Sequence, residues 1–323
     1  MDRPPAMCPA PIMTVHGAAR PKLILGVAED MCWEQLRPFV ESLGRTSFDG
    51  ELRLFVAGLD ASTIRRLEDE GVRLEHVRRL RFERRGRVFH PHDPPLRRFR
   101  ASRVTRAYPW LIRALAIPTR DRLRTRCRLA APLSFPHVAR FLRYYDYLSR
   151  PGASYDAVML TDVRDVFFQR DPFDFDIGAS VHCFLEHPHE TLGSQKHNRG
   201  WLLAAFGEDV LRELEDRPIS CSGVTIGAGA AVLGYLRVLV DLLLGIPRQQ
   251  GGIDQAAHNY AVHRGLVPDL ELVANDGGPV TNLAIVPEAE VLAALPDGYS
   301  HVNVLHQYDR HPQLAEMLLS RLD

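Results

Sequence analysis

Short apolar runs alternate with amphipathic stretches along most of the chain. KLILGVAED (22–30) is an apolar run ending in small and acidic residues, and in MCWEQLRPFVESL, which follows, apolar positions recur at helical spacing. This predicts a strand, a loop and a helix. ELRLFVAGLD (51–60) alternates into a second strand, Ser62 or Thr63 can cap the helix TIRRLEDEG, Gly71 ends it, and VRLEHV supplies a third strand. The β-α-β-α-β order predicts an α/β protein. Its central sheet should be mostly parallel with helices on both faces, and ligands should bind at the carboxyl ends of the strands.

Further along, SFPHVARFLRYYDYLSR (134–150) reads as an amphipathic helix leading to YDAVMLTDVRD, whose acidic cluster falls at the end of a central strand. A polar loop over 182–200, a helix near WLLAAFGEDVLRELED, a strand at SGVTIGA and a long apolar helix follow. That apolar helix, AAVLGYLRVLVDLLLG (230–245), is short for a membrane span and is interrupted by Arg237 and Asp241, four apart on one face, so it predicts a buried helix with one wet edge. GGIDQAAHNYAVHRG and SHVNVLHQYDRHPQ close the pattern. With no repeat and no interior linker, one catalytic-size domain is expected over 21–315, between a tail at 1–20 and a short tail at 316–323. The first twenty residues are rich in Pro and Ala and lack the apolar core of a secretory signal.

Composition narrows the partners. The formal net charge of the 323 residues is zero, so no global field draws the chain to nucleic acid. Five cysteines without a CxxC pair or zinc spacing fit a reducing, cytoplasmic setting. Lys22 and Lys196 are the only lysines, so arginine by itself is a weak signal. Eighteen arginines nevertheless stand against four acids between Arg73 and Arg128. The segment 80–130 reads first as loop-containing and solvated; the second reading of 73–128 is contact with an anionic acceptor or a peripheral membrane surface. It contains no recognisable nucleic-acid-binding module.

The strongest candidate chemistry is in AVMLTDVRDVFF. Asp162 and Asp165 follow a buried strand directly, and two close carboxylates repel unless something positive lies between them. A divalent ion, Mn²⁺ or Mg²⁺, would satisfy both and could take phosphate oxygens at its open positions. The alternative is that one Asp caps the following turn while the other pairs with Arg164. Three further segments carry polar groups beside apolar runs: CSGVTIGAGAAVL (221–233), GGIDQAAHNY (251–260) with Asp254, Gln255, His258 and Asn259, and VLHQYDRHP (304–312) with His306, Tyr308, Asp309 and Arg310.

In that order, MLTDVRDVFF, CSGVTIG, DQAAHN and HQYDRHP resemble the motifs of nucleotide-sugar glycosyltransferases of the GT-A fold, most similar to glycosyltransferase family 8 and related bacterial groups. The resemblance covers about Lys22 to Pro312. It implies that Asp162 and Asp165 take the DxD role, with His306 as the remaining protein ligand to Mn²⁺ or Mg²⁺. It implies that Ser222 and Gly223 offer backbone beside the donor sugar, that Asp254 holds sugar hydroxyls, and that Gln255 lies near the reacting face. Asn259 and Tyr308 are grouped with the donor site. The strand end from Gly26 through Val27 and Ala28 to Glu29 would receive the nucleoside. Two departures stand out: the spacing is DxxD, with Arg164 where the second Asp is usual, and Cys221 replaces an Asn.

The implied chemistry is transfer of a sugar from a nucleoside-diphosphate sugar, a UDP-sugar being favoured, to a glycan, lipid-linked or small-molecule acceptor. Arg140, Arg164 and Arg310 are candidates to meet the diphosphate. Retention of configuration rests on the resemblance alone. The alternatives are a non-catalytic glycan-binding or assembly protein with a degenerate GT-A fold, and a sugar nucleotidyltransferase. GVAEDMCWEQ, with one glycine and three acids before Gln35, lacks the glycine-rich phosphate loop expected of the last.

Overall fold

The computed structural model describes residues 21–78, 82–84, 87–89, 114, 119, 121–246, 250–295, 297 and 299–323. The expected tail at 1–20 and residues 90–113 of the arginine-rich stretch, with the acceptor or membrane contact read there, lie outside the described residues.

A seven-stranded sheet forms the centre. Its strands are β1 (Leu23–Glu29), β2 (Glu51–Ala57), β3 (Arg73–His76), β6 (Ala157–Thr161), β8 (Val181–Leu185), β9 (Ser220–Ala228) and β10 (Leu270–Val273), in the order β10-β8-β9-β6-β1-β2-β3. β9 runs antiparallel to both neighbours, and the other neighbouring pairs are parallel. A two-stranded ladder, β4 (Phe82–Arg84) with β5 (Arg87–Phe89), stands apart.

Alternate residues of the central strands enter two cores, one on each face, which is why these strands read as continuous apolar runs. Leu23, Leu25, Val158 and Leu160 pack under the helices α4 (Pro136–Leu148), α7 (Gly229–Gly245) and α8 (Ile253–His263). Ile24, Ala28 and Met159 pack against α1 (Trp33–Gly44), with Leu67 of α2 (Ala61–Asp69) joining them. The α/β architecture with a mostly parallel sheet and helices on both faces therefore matches the expectation.

A second, three-stranded sheet, β11 (Val280–Asn282), β12 (Val304–His306) and β7 (Val166–Phe168), sits beside the first. β7 begins directly after the acidic cluster, so the chain crosses from one sheet to the other over residues 162–165. That seam becomes the site.

Several local expectations differ. Asp60, not Ser62 or Thr63, caps α2, because its carboxylate accepts from the main-chain N–H of both. The stretch 182–200 is not one loop: its start is the buried strand β8, and its end opens α5 (Lys196–Phe206), capped by Gln195. Gly207 divides the single helix expected near WLLAAFGEDVLRELED into α5 and α6 (Glu208–Leu214). Arg237 and Asp241 do lie on an exposed edge of α7, but Asp241 accepts from Arg126 of α3 (Arg122–Ala130) at 3.1 Å. The expected tail at 316–323 instead completes α10 (Pro312–Ser320), which buries Leu314, Leu318 and then Leu322 against α9 (Glu288–Ala294) and β12.

Candidate functional site

β6 is buried along its whole length and delivers the chain to Asp162, whose N–H donates to the Gly223 carbonyl on β9 at 2.8 Å. Val163 then turns inward and is 3% exposed. With Val163 anchored, Asp162 and Asp165 are left on one side and Arg164 faces solvent. His306 arrives from the far end of the sequence: β12 pairs with β7 so that His306 lies opposite Val166, and the Gln307 N–H donates to the Asp165 carbonyl at 2.6 Å. Its Nε2 lies 3.6 Å from Asp162 Oδ2 and 3.8 Å from Asp165 Oδ1. One ligand atom from each of the three residues falls within 4.8 Å of the others.

The electrostatics of this group are one-sided. His306 is 1% exposed, its Nδ1 meets Asn282 Oδ1 at 2.8 Å, and its Nε2 has no hydrogen-bond partner. Burial pulls the imidazole pKa down, but the nearby Cys221 thiol and the Asp165 and Glu186 carboxyls outweigh that and hold it above its ordinary value. A buried nitrogen without a partner, facing two carboxylates, is a donor set that fits a divalent cation.

Position 223 is glycine for a steric reason. A Cβ there would lie 2.2 Å from His306 Cε1 and 3.0 Å from Asp162 Oδ2, so the ring occupies the space a side chain would need.

On the other side of Asp162 stands Arg140, on α4 and 6% exposed. It pairs with Asp162 Oδ1 and donates to Asp254 Oδ2 at 3.0 Å and to the Ser222 carbonyl at 3.2 Å, while its Nε has no partner. Asp254 is the second residue of α8, and Gly252 before it is left-handed (φ +79°) under the Trp201 ring, where a Cβ would come within 2.1 Å. Asp254 therefore does not cap its helix but joins the arginine.

The remaining expected site residues divide sharply. The Gln255 amide is committed to β9, accepting from the Ser222 N–H at 2.8 Å and donating to the Ser220 carbonyl at 3.0 Å. Asn259 is fully buried and clamps both main-chain groups of Ser220. His258 is also buried, between Ser220 Oγ and the Tyr235 hydroxyl, and burial drives its pKa down to about 3. These three residues brace β9.

Gly26 and Ala28 face the α1 side, where a Cβ on Gly26 would meet Val163 at 2.4 Å and Leu54 at 2.8 Å. Val27 is partly buried against the opposite core. Tyr308 is 4% exposed and packs edge-on against Phe167, and burial pushes its hydroxyl up to about 12. Arg164 pairs with Asp309 at 3.4 Å on the surface instead of with Asp165. Arg310, half exposed, reaches Asp165 Oδ2 at 3.9 Å.

Three residues that the sequence did not nominate for the site, among them the Cys221 noted only as a departure from the motif, complete the neighbourhood. Glu186 follows the end of β8, is 8% exposed, and has its carboxyl pushed up to about 7 by burial. Its signal was available, since it ends an apolar strand just as Asp162 does. Asn282 and the Cys221 thiol, whose Sγ lies 3.6 Å from His306 Nδ1, gave no local signal because their partner is distant in sequence.

No protein-family model matches the chain, and no curated protein matches it by sequence. Among solved structures, the chain is similar to the galactosyltransferase LgtC in complex with donor and acceptor sugar analogs, at 14% identity and a TM-score of 0.44, with 88% of this chain and 86% of that chain covered. An active-site mutant of LgtC is similar at 13% identity and a TM-score of 0.43, with the same shares of each chain covered. Likeness at these values is too loose to bear on the chemistry of the site.

Proposed function

We propose that the protein is a divalent-metal-dependent glycosyltransferase. In this reading it moves a hexosyl or pentosyl group from a nucleoside-diphosphate sugar, UDP-sugar favoured, to a glycan, lipid-linked or small-molecule acceptor. The observation that carries the reading is the buried, unpartnered Nε2 of His306 facing Asp162 and Asp165 at the carboxyl end of the central strand β6. Ligands of α/β sheets bind at such strand ends. The order of the four sequence motifs supports the same reading and is the basis for the UDP preference and for a retaining outcome, while the cysteine pattern is the basis for a cytoplasmic setting.

In this assignment Asp162, Asp165 and His306 hold Mn²⁺ or Mg²⁺. When bound, the ion supplies positive charge where a diphosphate leaving group gathers negative charge. Arg310, half exposed beside Asp165, adds a charge-assisted bond to the diphosphate, and Arg140, paired with Asp162 and Asp254, adds positive charge behind it. Asp254, fixed by Arg140, presents its carboxylate to the donor sugar, where positive charge develops. Ser222 and Gly223 offer main chain alongside. Gln255 and Asn259 act by holding β9 in register, so Gln255 is a positioning residue rather than a group at the reacting carbon. The donor nucleoside lies over the end of β1, beyond Val27.

Calorimetric titration of UDP and GDP, with and without Mn²⁺, into wild type and Asp162→Ala tests the reading. Metal-dependent binding that disappears in the variant is the expected result, and turnover is then sought with sugars of the bound nucleotide. Absence of binding to a folded wild type across a wider nucleotide panel would overturn it. One observation favours a second reading, a non-catalytic glycan-binding relative: Arg140 already supplies positive charge to both Asp162 and Asp254. Glycan binding without nucleotide binding would support that alternative.

A further inference from the structure

The orientation of His306 is set by an amide that sequence reasoning did not single out. Asn282 is fully buried on β11, in register beside His306 of β12. Its Nδ2 donates to the Leu185 carbonyl at 2.9 Å and to the Phe184 carbonyl at 3.3 Å. Those carbonyls can only accept, so the amide cannot be turned over: its NH₂ must face them and its Oδ1 must face His306. Oδ1 is likewise only an acceptor, and it lies 2.8 Å from His306 Nδ1. Nδ1 must therefore carry the hydrogen.

We propose that Asn282 is the positioning residue of the site, holding His306 as the Nδ1–H tautomer so that the Nε2 lone pair points at the space between Asp162 and Asp165. This deepens the proposed function, because it rests on the metal-binding reading of that space. The main chain at the end of β8 thereby fixes a ligand on β12, through one side chain on β11. Free imidazole has no such constraint, and histidine ligands commonly owe their tautomer to the group bound at the other nitrogen. The Cys221 thiol also reaches Nδ1, at 3.6 Å, but sulfur is a weak hydrogen-bonding group beside the amide oxygen at 2.8 Å.

The test has two parts. ¹⁵N NMR of the metal-free protein with labelled histidine, at a pH where imidazole is neutral and with His306→Ala used to assign the signal, reads the tautomer directly. Nε2 is expected to be the unprotonated nitrogen; a hydrogen on Nε2 would overturn the proposal without any variant of Asn282. Calorimetry with Mn²⁺ alone then compares wild type, Asn282→Leu and Asn282→Asp. Asn282→Leu is expected to bind Mn²⁺ about 10–100-fold more weakly and to lose the fixed tautomer. Asn282→Asp keeps the accepting oxygen and is expected to recover most of the affinity. Wild-type affinity in a folded Asn282→Leu protein would sink the positioning role. If wild type binds no Mn²⁺, the metal reading and the ligand role of His306 fail together, whereas a wrong tautomer with intact Mn²⁺ binding condemns the role of Asn282 alone.

Discussion

β1 and β6 lie side by side, run parallel and each end in a carboxylate, yet the two ends are built differently. At the end of β1, Glu29 pairs with Arg143 of α4, both side chains 7% exposed. At the end of β6, Asp162 shares Arg140, one helical turn earlier on α4, and then opens with Asp165 onto the unpartnered nitrogen of His306. The first arrangement pairs its charge within the fold. The second leaves carboxylates and a lone pair converging on one point, which costs stability unless a cation is supplied from outside. Proteins keep such an arrangement where it serves binding.

The largest expected effect attacks the closed end. Arg143→Met strips Glu29 of its arginine and should cost about 3–5 kcal/mol of unfolding free energy in urea. Asp165→Asn should leave stability unchanged or raise it by up to about 1 kcal/mol, because it relieves repulsion, while Mn²⁺ affinity falls at least about 100-fold. Equal destabilisation by the two substitutions would erase the distinction between the ends.

A third strand end sharpens it. Glu186 has a pKa of about 7 in the folded protein against 4.5 for the ordinary group. Below pH 4.5 both states hold the proton; between 4.5 and 7 the unfolded chain releases it first, so this contribution to stability is lost as pH rises. Metal-free Glu186→Gln should match wild type near pH 4 and exceed it by about 3 kcal/mol above pH 7. His258 acts in the opposite sense, because its folded pKa of about 3 makes stability fall as pH drops below 6.5. The difference between wild type and Glu186→Gln cancels that term.

Gly223→Ala should cost about 1–3 kcal/mol and weaken Mn²⁺ binding, since its methyl and the His306 ring claim the same space. Smallest of all, Arg164→Ala removes an exposed pair with Asp309 and should stay within about 0.5 kcal/mol of wild type in a thermal melt.

How much of this the sequence disclosed depends on the range of the interaction. The first three strands and the run into Asp162 were legible because burial on both faces of a sheet writes itself as continuous apolar stretches. The helix over 136–148 was legible from its period, and Arg140 stood out as a candidate on it. The Asp60 cap was also local and readable, yet the hydroxyls after it drew attention away. Asp162, Asp165 and His306 were nominated by motif order, and the structure brings them together. What the sequence could not disclose was which polar groups are engaged within the fold: Gln255 and Asn259 hold main-chain groups of β9, and Tyr308 packs in the core. Asn282 is the converse case. It is an ordinary residue on a three-residue strand, and its importance comes from carbonyls about a hundred positions earlier.

The contact between Gly223 and His306 also has a consequence for the history of the sequence. With the imidazole standing where a side chain at 223 would be, the two positions cannot drift independently. In a descendant line that gave up His306 for a smaller residue, the vacated space would admit alanine or serine at 223, and a return to histidine would then be blocked until glycine was restored. Among related chains, a residue other than glycine at this position should appear only where the histidine has gone, marking lineages that have left the chemistry behind.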